Sequence, residues 1–218
     1  VEDPSDPQVR AQLERLAAVG GDWAGLAATY QRVLDDDSGD APHLRELALA
    51  AAAIYDRRLD AAGPGGAAYR RALAIAPAGA DDRLTVLARV EGLLARHRAW
   101  SPLIAIYDDL IGAMSSDDQL RRDLYARKAE IVERELVDAG GAIEAWRAVI
   151  ELSDEVAARL DYERAADELD RLYRVAARWR DLSELLGDRI DRARSEVDEV
   201  DRRVALAEVL EQHLGDID

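Results

Sequence analysis

The residues best placed for chemistry in this 218-residue chain are acidic. Asp35, Asp37 and Glu46 fall at the first, third and twelfth places of a calcium-binding loop, where carboxylates would supply hard oxygen ligands. The rest of that pattern fails. Gly39 and Asp40 stand where a ligand and a glycine belong, and Pro42 starts a helix inside the would-be loop. The segment therefore reads as a polar connection. Gly63-Pro64-Gly65-Gly66 could cradle a phosphate on its backbone amides, but no Gly-Lys-Ser/Thr follows it and no strand precedes it. It reads instead as the turn of a helical hairpin, with Gly140-Gly141 at the equivalent turn further on.

His43, His97 and His213 share no metal-ligand spacing. No nucleophile and base can be paired among the serines, threonines and carboxylates. Asp108-Asp109 and Asp117-Asp118 lie near helix ends, where solvation and the helix dipole explain them. The sequence thus predicts no enzyme, no metal centre and no cofactor.

The elements carrying these residues show the dominant pattern. Trp23, Trp100 and Trp179 recur at a spacing of about 78 residues, and each opens a similar segment. Leu59, Leu136 and Leu214 mark intervening turns at the same interval. Within this long period runs a shorter one. Tyr30, Tyr69, Tyr107, Trp146 and Leu186 stand at the middle of successive second helices, about 39 residues apart. Self-similarity at a fixed period marks repeat architectures. The expected fold is all-α: about eleven helices in five and a half hairpins of period about 39, forming one repeat domain over residues 1–218. The repeats span about 6–38, 40–77, 80–115, 118–153, 156–195 and an incomplete 196–218.

Apolar stripes at helical spacing fill the units. They include Val9, Leu13, Leu16 and Ala17, then Leu84, Leu87, Val90 and Leu94, and in an unpaired last helix Val204, Leu206, Val209 and Leu210. The second helices are expected to begin after their glycines, at Ala67 and Ala142. Small residues such as Ala51, Ala52, Ala72, Ala129 and Ala165 permit close helix approach. The three tryptophans are expected to plug the space between turn and preceding helix. The uncovered side of the first helices nominates Glu46, Asp56, Arg89, Arg96, Glu130, Glu133, Arg171 and Arg174 as groove residues.

Residues 65–77 (Gly-Gly-Ala-Ala-Tyr69-Arg-Arg-Ala72-Leu73-Ala-Ile75-Ala-Pro77) resemble the second helix of the tetratricopeptide repeat family. Gly21-Asp22-Trp23 resembles that family's turn into the same helix, and Ala142–Leu152 matches again without the proline. The period of about 39 exceeds the family's 34, and Trp-opened and Gly-opened units alternate. The resemblance implies a right-handed alpha-solenoid with a concave groove that binds a protein or peptide without catalysis. The family's carboxylate clamp of Lys, Arg and Asn cannot be assembled, because Lys128 is the single lysine and Asn is absent.

Composition narrows the partners. The formal net charge is −16, with 45 acidic and 29 basic side chains. Nucleic acid and anionic membrane surfaces, both of which attract Lys and Arg, are poor matches. A basic protein surface suits the charge. End-to-end self-association as a spacer in a longer array is the competing expectation, and a regulatory segment of an enzyme a third. There is no cysteine, no spanning-length apolar run and no signal-like start, so the expected location is cytoplasmic. Val1 in place of an initiator Met suggests a piece of a longer protein, and the Arg-, Ala- and Gly-rich usage suggests a GC-rich bacterial source.

Overall fold

Helix-forming residues dominate the chain, and six helix starts carry their own cap. Asp6, Asp22, Asp40, Asp117, Asp138 and Ser195 each accept a backbone N–H from the first turn of the helix that follows, at 2.7–3.1 Å. A computed structural model describes residues 6–36, 40–75, 80–114, 116–153 and 158–215. Among these residues lie eleven α-helices and no strand: α1 (Pro7–Gly20), α2 (Trp23–Asp36), α3 (Ala41–Arg57), α4 (Ala62–Ala74), α5 (Ala80–Arg96), α6 (Trp100–Ala113), α7 (Asp118–Arg134), α8 (Ala139–Glu151), α9 (Arg159–Val175), α10 (Trp179–Asp191) and α11 (Glu196–Val209). A π-helical turn, Leu210–Leu214, prolongs α11. No described helix is long and apolar enough to cross a membrane.

The chain divides into two compact units, Val1–Asp108 and Asp109–Asp218, with the division inside α6. In the first unit α1 packs on α2, α2 on α3, α3 on α4, and α4 on α5. In the second, the same succession runs from α7 through α11. Within each unit, then, helices are covered by their sequence neighbours. The mid-helix aromatics are the deepest large side chains: Tyr30, Tyr69, Tyr107 and Trp146 are all at most 2% exposed. Ala51, Ala52, Ala72, Ala129 and Ala165 are wholly buried, as close packing of helix backbones requires.

The hairpin turns repeat one backbone device. Gly21, Asp60, Arg98, Val137 and Ala177 have φ between 48° and 73°, and each stands two residues before the second helix of its hairpin. The turns before α4 and α8 are matched in detail. Ala61 N–H donates to the Tyr55 carbonyl at 2.9 Å, and Asp138 N–H donates to that of Val132 at 3.0 Å. The turns before α6 and α10 form a second class, in which Ala99 donates to Leu94 and Arg178 to Tyr173, both at 2.8 Å. Gly215, with φ 68°, holds the place that Val137 takes one long period earlier, so α11 ends on the backbone turn that elsewhere leads into a second helix.

Three sequence expectations need correction. Helix α4 begins at Ala62 and α8 at Ala139, so the Gly63–Gly66 and Gly140–Gly141 stretches are first helical turns. Pro64 is tolerated there because an opening turn has no intrahelical partner for its N–H groups. Gly65 is required by packing: a Cβ would stand 2.6 Å from Leu93 Cδ2 and 3.2 Å from Tyr55 Cβ. Second, two stripe residues are exposed, Leu84 at 44% and Leu16 at 58%. Val86 and Leu93 are buried in α5 beside Leu87, Val90 and Leu94. Third, the face of α11 is split. Val209 is buried, while Val197, Val200 and Val204 form an exposed row.

Candidate functional site

The nominated charges lie on α3, α5, α7 and α9, and most of them pair with a charge one hairpin away. Arg10 donates to Glu46 at 2.8 Å, 36 residues away. Arg45 pairs with Asp82, 37 residues away, and Arg96 with Asp56, 40 residues away at 2.5 Å. His97 lies 2.9 Å from Asp60, 37 residues away. In the second unit Arg122 donates to Asp161 at 2.9 Å, 39 residues on, and Arg164 pairs with Glu130, 34 residues back. Arg171 donates to both Glu133 oxygens at 2.7 Å, and Arg202 reaches Glu163 at 3.5 Å, 38 and 39 residues apart. Each link joins a hairpin to the next one in its unit, so each spacing approximates the repeat length.

Glu46, Asp56, Arg96, Glu130, Glu133 and Arg171 therefore act as staples between hairpins. Arg174 pairs inside its own helix with Asp170, at 2.5 Å. Arg89 is exposed and acts through space on Tyr69. Of the calcium-like set, Asp35 accepts from Gln31 at 2.8 Å, Asp40 caps α3, and Glu46 is held by Arg10, while Asp37 and Gly39 lie outside the described residues. The closing Pro77 also lies outside them.

The aromatic markers serve the packing. Tyr69 donates to Asp56 at 3.3 Å and Tyr107 to Glu91 at 2.7 Å, so each second helix is tied to the first helix of its own hairpin. Burial, aided by the Asp56 charge, pushes the Tyr69 hydroxyl up to about 12. Trp146 occupies the place of Tyr69 one long period on, and Glu133 the place of Asp56. Glu133 is engaged by Arg171, and the Trp146 indole N–H has no hydrogen-bond partner among the described residues.

Trp23, Trp100 and Trp179 are half-buried at the first position of α2, α6 and α10. The Arg58 guanidinium lies 4.6 Å over the Trp23 ring, and His213 stacks on Trp179 with centroids 3.6 Å apart. Arg58 and His213 hold equivalent places at the ends of α3 and α11. These two tryptophans thus meet the following first helix, whereas the sequence pointed to the preceding one.

A concave feature lies in the second unit. There α8, α9 and α10 enclose a cleft of about 250 Å³. Its floor is apolar, made of Ile150, Leu169, Leu185 and the Tyr173 ring, and its walls carry Arg147, Glu151, Asp181, Glu184 and Asp188. Asp181 accepts from Arg178 at 2.7 Å, which holds its carboxyl below the usual range. Asp188 accepts from the Tyr162 hydroxyl at 2.7 Å and from Arg192 at 3.2 Å. Burial drives the Tyr162 and Tyr173 hydroxyls upward.

Comparison with known proteins adds no identity at this point. No family model matches the chain, and no curated protein matches it either.

Sequence reasoning passed over this cleft. Its lining comes from three helices, and each contribution reads as an ordinary solvated face. One signal was available: Asp181, Glu184 and Asp188 follow an i, i+3, i+7 spacing, which sets three carboxylates on one side of α10.

Proposed function

We propose that the chain is a non-catalytic scaffold of tetratricopeptide type, a right-handed alpha-solenoid of helical hairpins that holds a protein or peptide. The observation that carries this reading is the repeat-length ladder of Arg–carboxylate links between first helices within each unit. Side chains that could have done chemistry are spent on joining one hairpin to the next, as in quasi-one-dimensional arrays. Such arrays supply extended surface for recognition, and α8, α9 and α10 offer a cleft for it.

The reading is tested by selecting a phage-displayed peptide library against the purified chain. Enrichment of a motif that binds saturably at one site supports it. Libraries that stay random after repeated selection, with no saturable binding in calorimetry, contradict it.

A second reading, a self-associating spacer, has its own observation: the exposed Val197, Val200 and Val204 row on α11. Light scattering at rising concentration separates the two. A mass that climbs for the natural chain and stays flat for Val200→Asp supports association, and a constant monomer mass opposes it.

A further inference from the structure

We infer that the α8–α9–α10 cleft is a receptor for a single arginine side chain on a basic peptide segment. This inference rests on the scaffold reading and names the ligand chemistry of one site in it.

Size comes first. A cleft of about 250 Å³ falls below the roughly 300–1,000 Å³ typical of cofactor and small-molecule pockets and suits one long side chain. Charge comes second. Arg178 and Arg192 neutralise Asp181 and Asp188, but Glu151 and Glu184 have no ion pair among the described residues, and Arg147 is the one cation of the lining. One carboxylate is left in excess.

Tyr173 supplies an independent indication. The residue is only 3% exposed and lines the cleft, yet its hydroxyl has no hydrogen-bond partner among the described residues. That hydroxyl feels Arg147, Asp181 and Glu184, which places it among the polar walls. Unlike the Tyr30 hydroxyl, which is buried, this one is not sealed from solvent, so a guest donor or acceptor can reach it.

The choice of guanidinium over other cations comes from the protein's own arginines. Arg178 lies 5.2 Å over the Tyr173 ring while bonded to Asp181. Arg192 lies 4.5 Å over Tyr162 while bonded to Asp188. Tyrosine face plus carboxylate thus already holds guanidinium groups on both flanks of the cleft. An incoming arginine would lay its methylenes along the Leu169 and Leu185 floor and turn its planar head toward Glu184.

The test uses the intact chain labelled with ¹⁵N and the peptide acetyl-Gly-Ala-Arg-Ala-Gly-amide, with citrulline, lysine and glutamate versions as controls. The arginine peptide is expected to shift amides of 147–151, 169–173 and 181–188 saturably. Citrulline, alike in shape but uncharged, is expected to bind at least tenfold more weakly, and lysine several-fold more weakly. Glu184→Gln should reduce arginine affinity about tenfold and Tyr173→Phe several-fold, with both variants retaining their helical circular dichroism. Shifts confined to other helices, equal binding of arginine and citrulline, or an unchanged affinity in both variants would overturn the inference. A library that enriches an arginine-free motif on another face sinks this site and leaves the scaffold reading intact. Arginine binding here alongside a library that never enriches does the reverse.

Discussion

At the residue scale, the least expected feature is Val137, a β-branched residue with φ 56° at an exposed turn. Left-handed backbone costs an L-residue about 1–2 kcal/mol, and glycine adopts it freely. Glycine also gives the unfolded chain more freedom to lose, which offsets part of the gain. Val137→Gly is therefore expected to stabilise the protein by about 0.5–1 kcal/mol, seen as a higher urea midpoint. Gly21→Ala, at the equivalent place in the first hairpin, should cost about 1 kcal/mol. These turns also mark where sequence reading stops. Gly21 is legible as a left-handed residue, but Asp60, Arg98, Val137 and Ala177 give no such sign. Only their place two residues before each second helix reveals the shared geometry. The cleft was hidden for a similar reason, because Tyr173 reads as core and the opening of its hydroxyl into the cleft is a matter of packing.

At the scale of helices, the links of the ladder differ in strength. The Arg171 side chain is 48% exposed, so its bond to Glu133 is screened and contributes less than about 1 kcal/mol. Arg122 is 7% exposed and also donates to the Leu152 carbonyl at 2.8 Å. Truncating it strands the half-buried Leu152 carbonyl and the half-exposed Asp161. Arg122→Ala should lower stability by about 2–3 kcal/mol and Arg171→Ala by less than about 1 kcal/mol in denaturant titrations. Raising the salt to about 0.5 M should shrink only the Arg171 effect. The helices themselves were legible, because mid-helix aromatics and opening tryptophans recur at fixed spacing. Their starts were less so. Gly65 and Gly141 look like turn residues, and the close approach of Leu93 and Tyr55 to the first and of Asp138 and Val132 to the second explains glycine inside a helix. The groove charges were found as residues but not as partners, since pairing from one repeat to the next depends on how hairpins stack.

At the scale of the whole molecule, buried tyrosines couple folding to alkaline pH. Tyr69 ionises near 12 in the folded chain against about 10 when unfolded, and burial moves Tyr30, Tyr55, Tyr162 and Tyr173 in the same direction. Each upward shift favours the folded state fully below pH 10. That advantage is lost as pH climbs through the folded value, because the unfolded chain releases its protons first. Tyr69 alone accounts for about 2–3 kcal/mol by pH 12. The melting temperature should fall steeply above pH 10, with tyrosinate absorbance rising together with the loss of helix. Normal tyrosine titration at pH 10 with helices intact would show these hydroxyls to be solvated.

The central claim is that hairpins one repeat apart are joined, first helix to first helix. The chain has no cysteine, so engineered pairs can be cross-linked without background. A short bismaleimide should close loops within single molecules of Arg10→Cys/Glu46→Cys, Glu130→Cys/Arg164→Cys and Glu133→Cys/Arg171→Cys. It should leave Glu130→Cys/Arg203→Cys, two repeats apart, open. Rapid closure of that last pair, or failure of the first three in folded protein, would contradict the account.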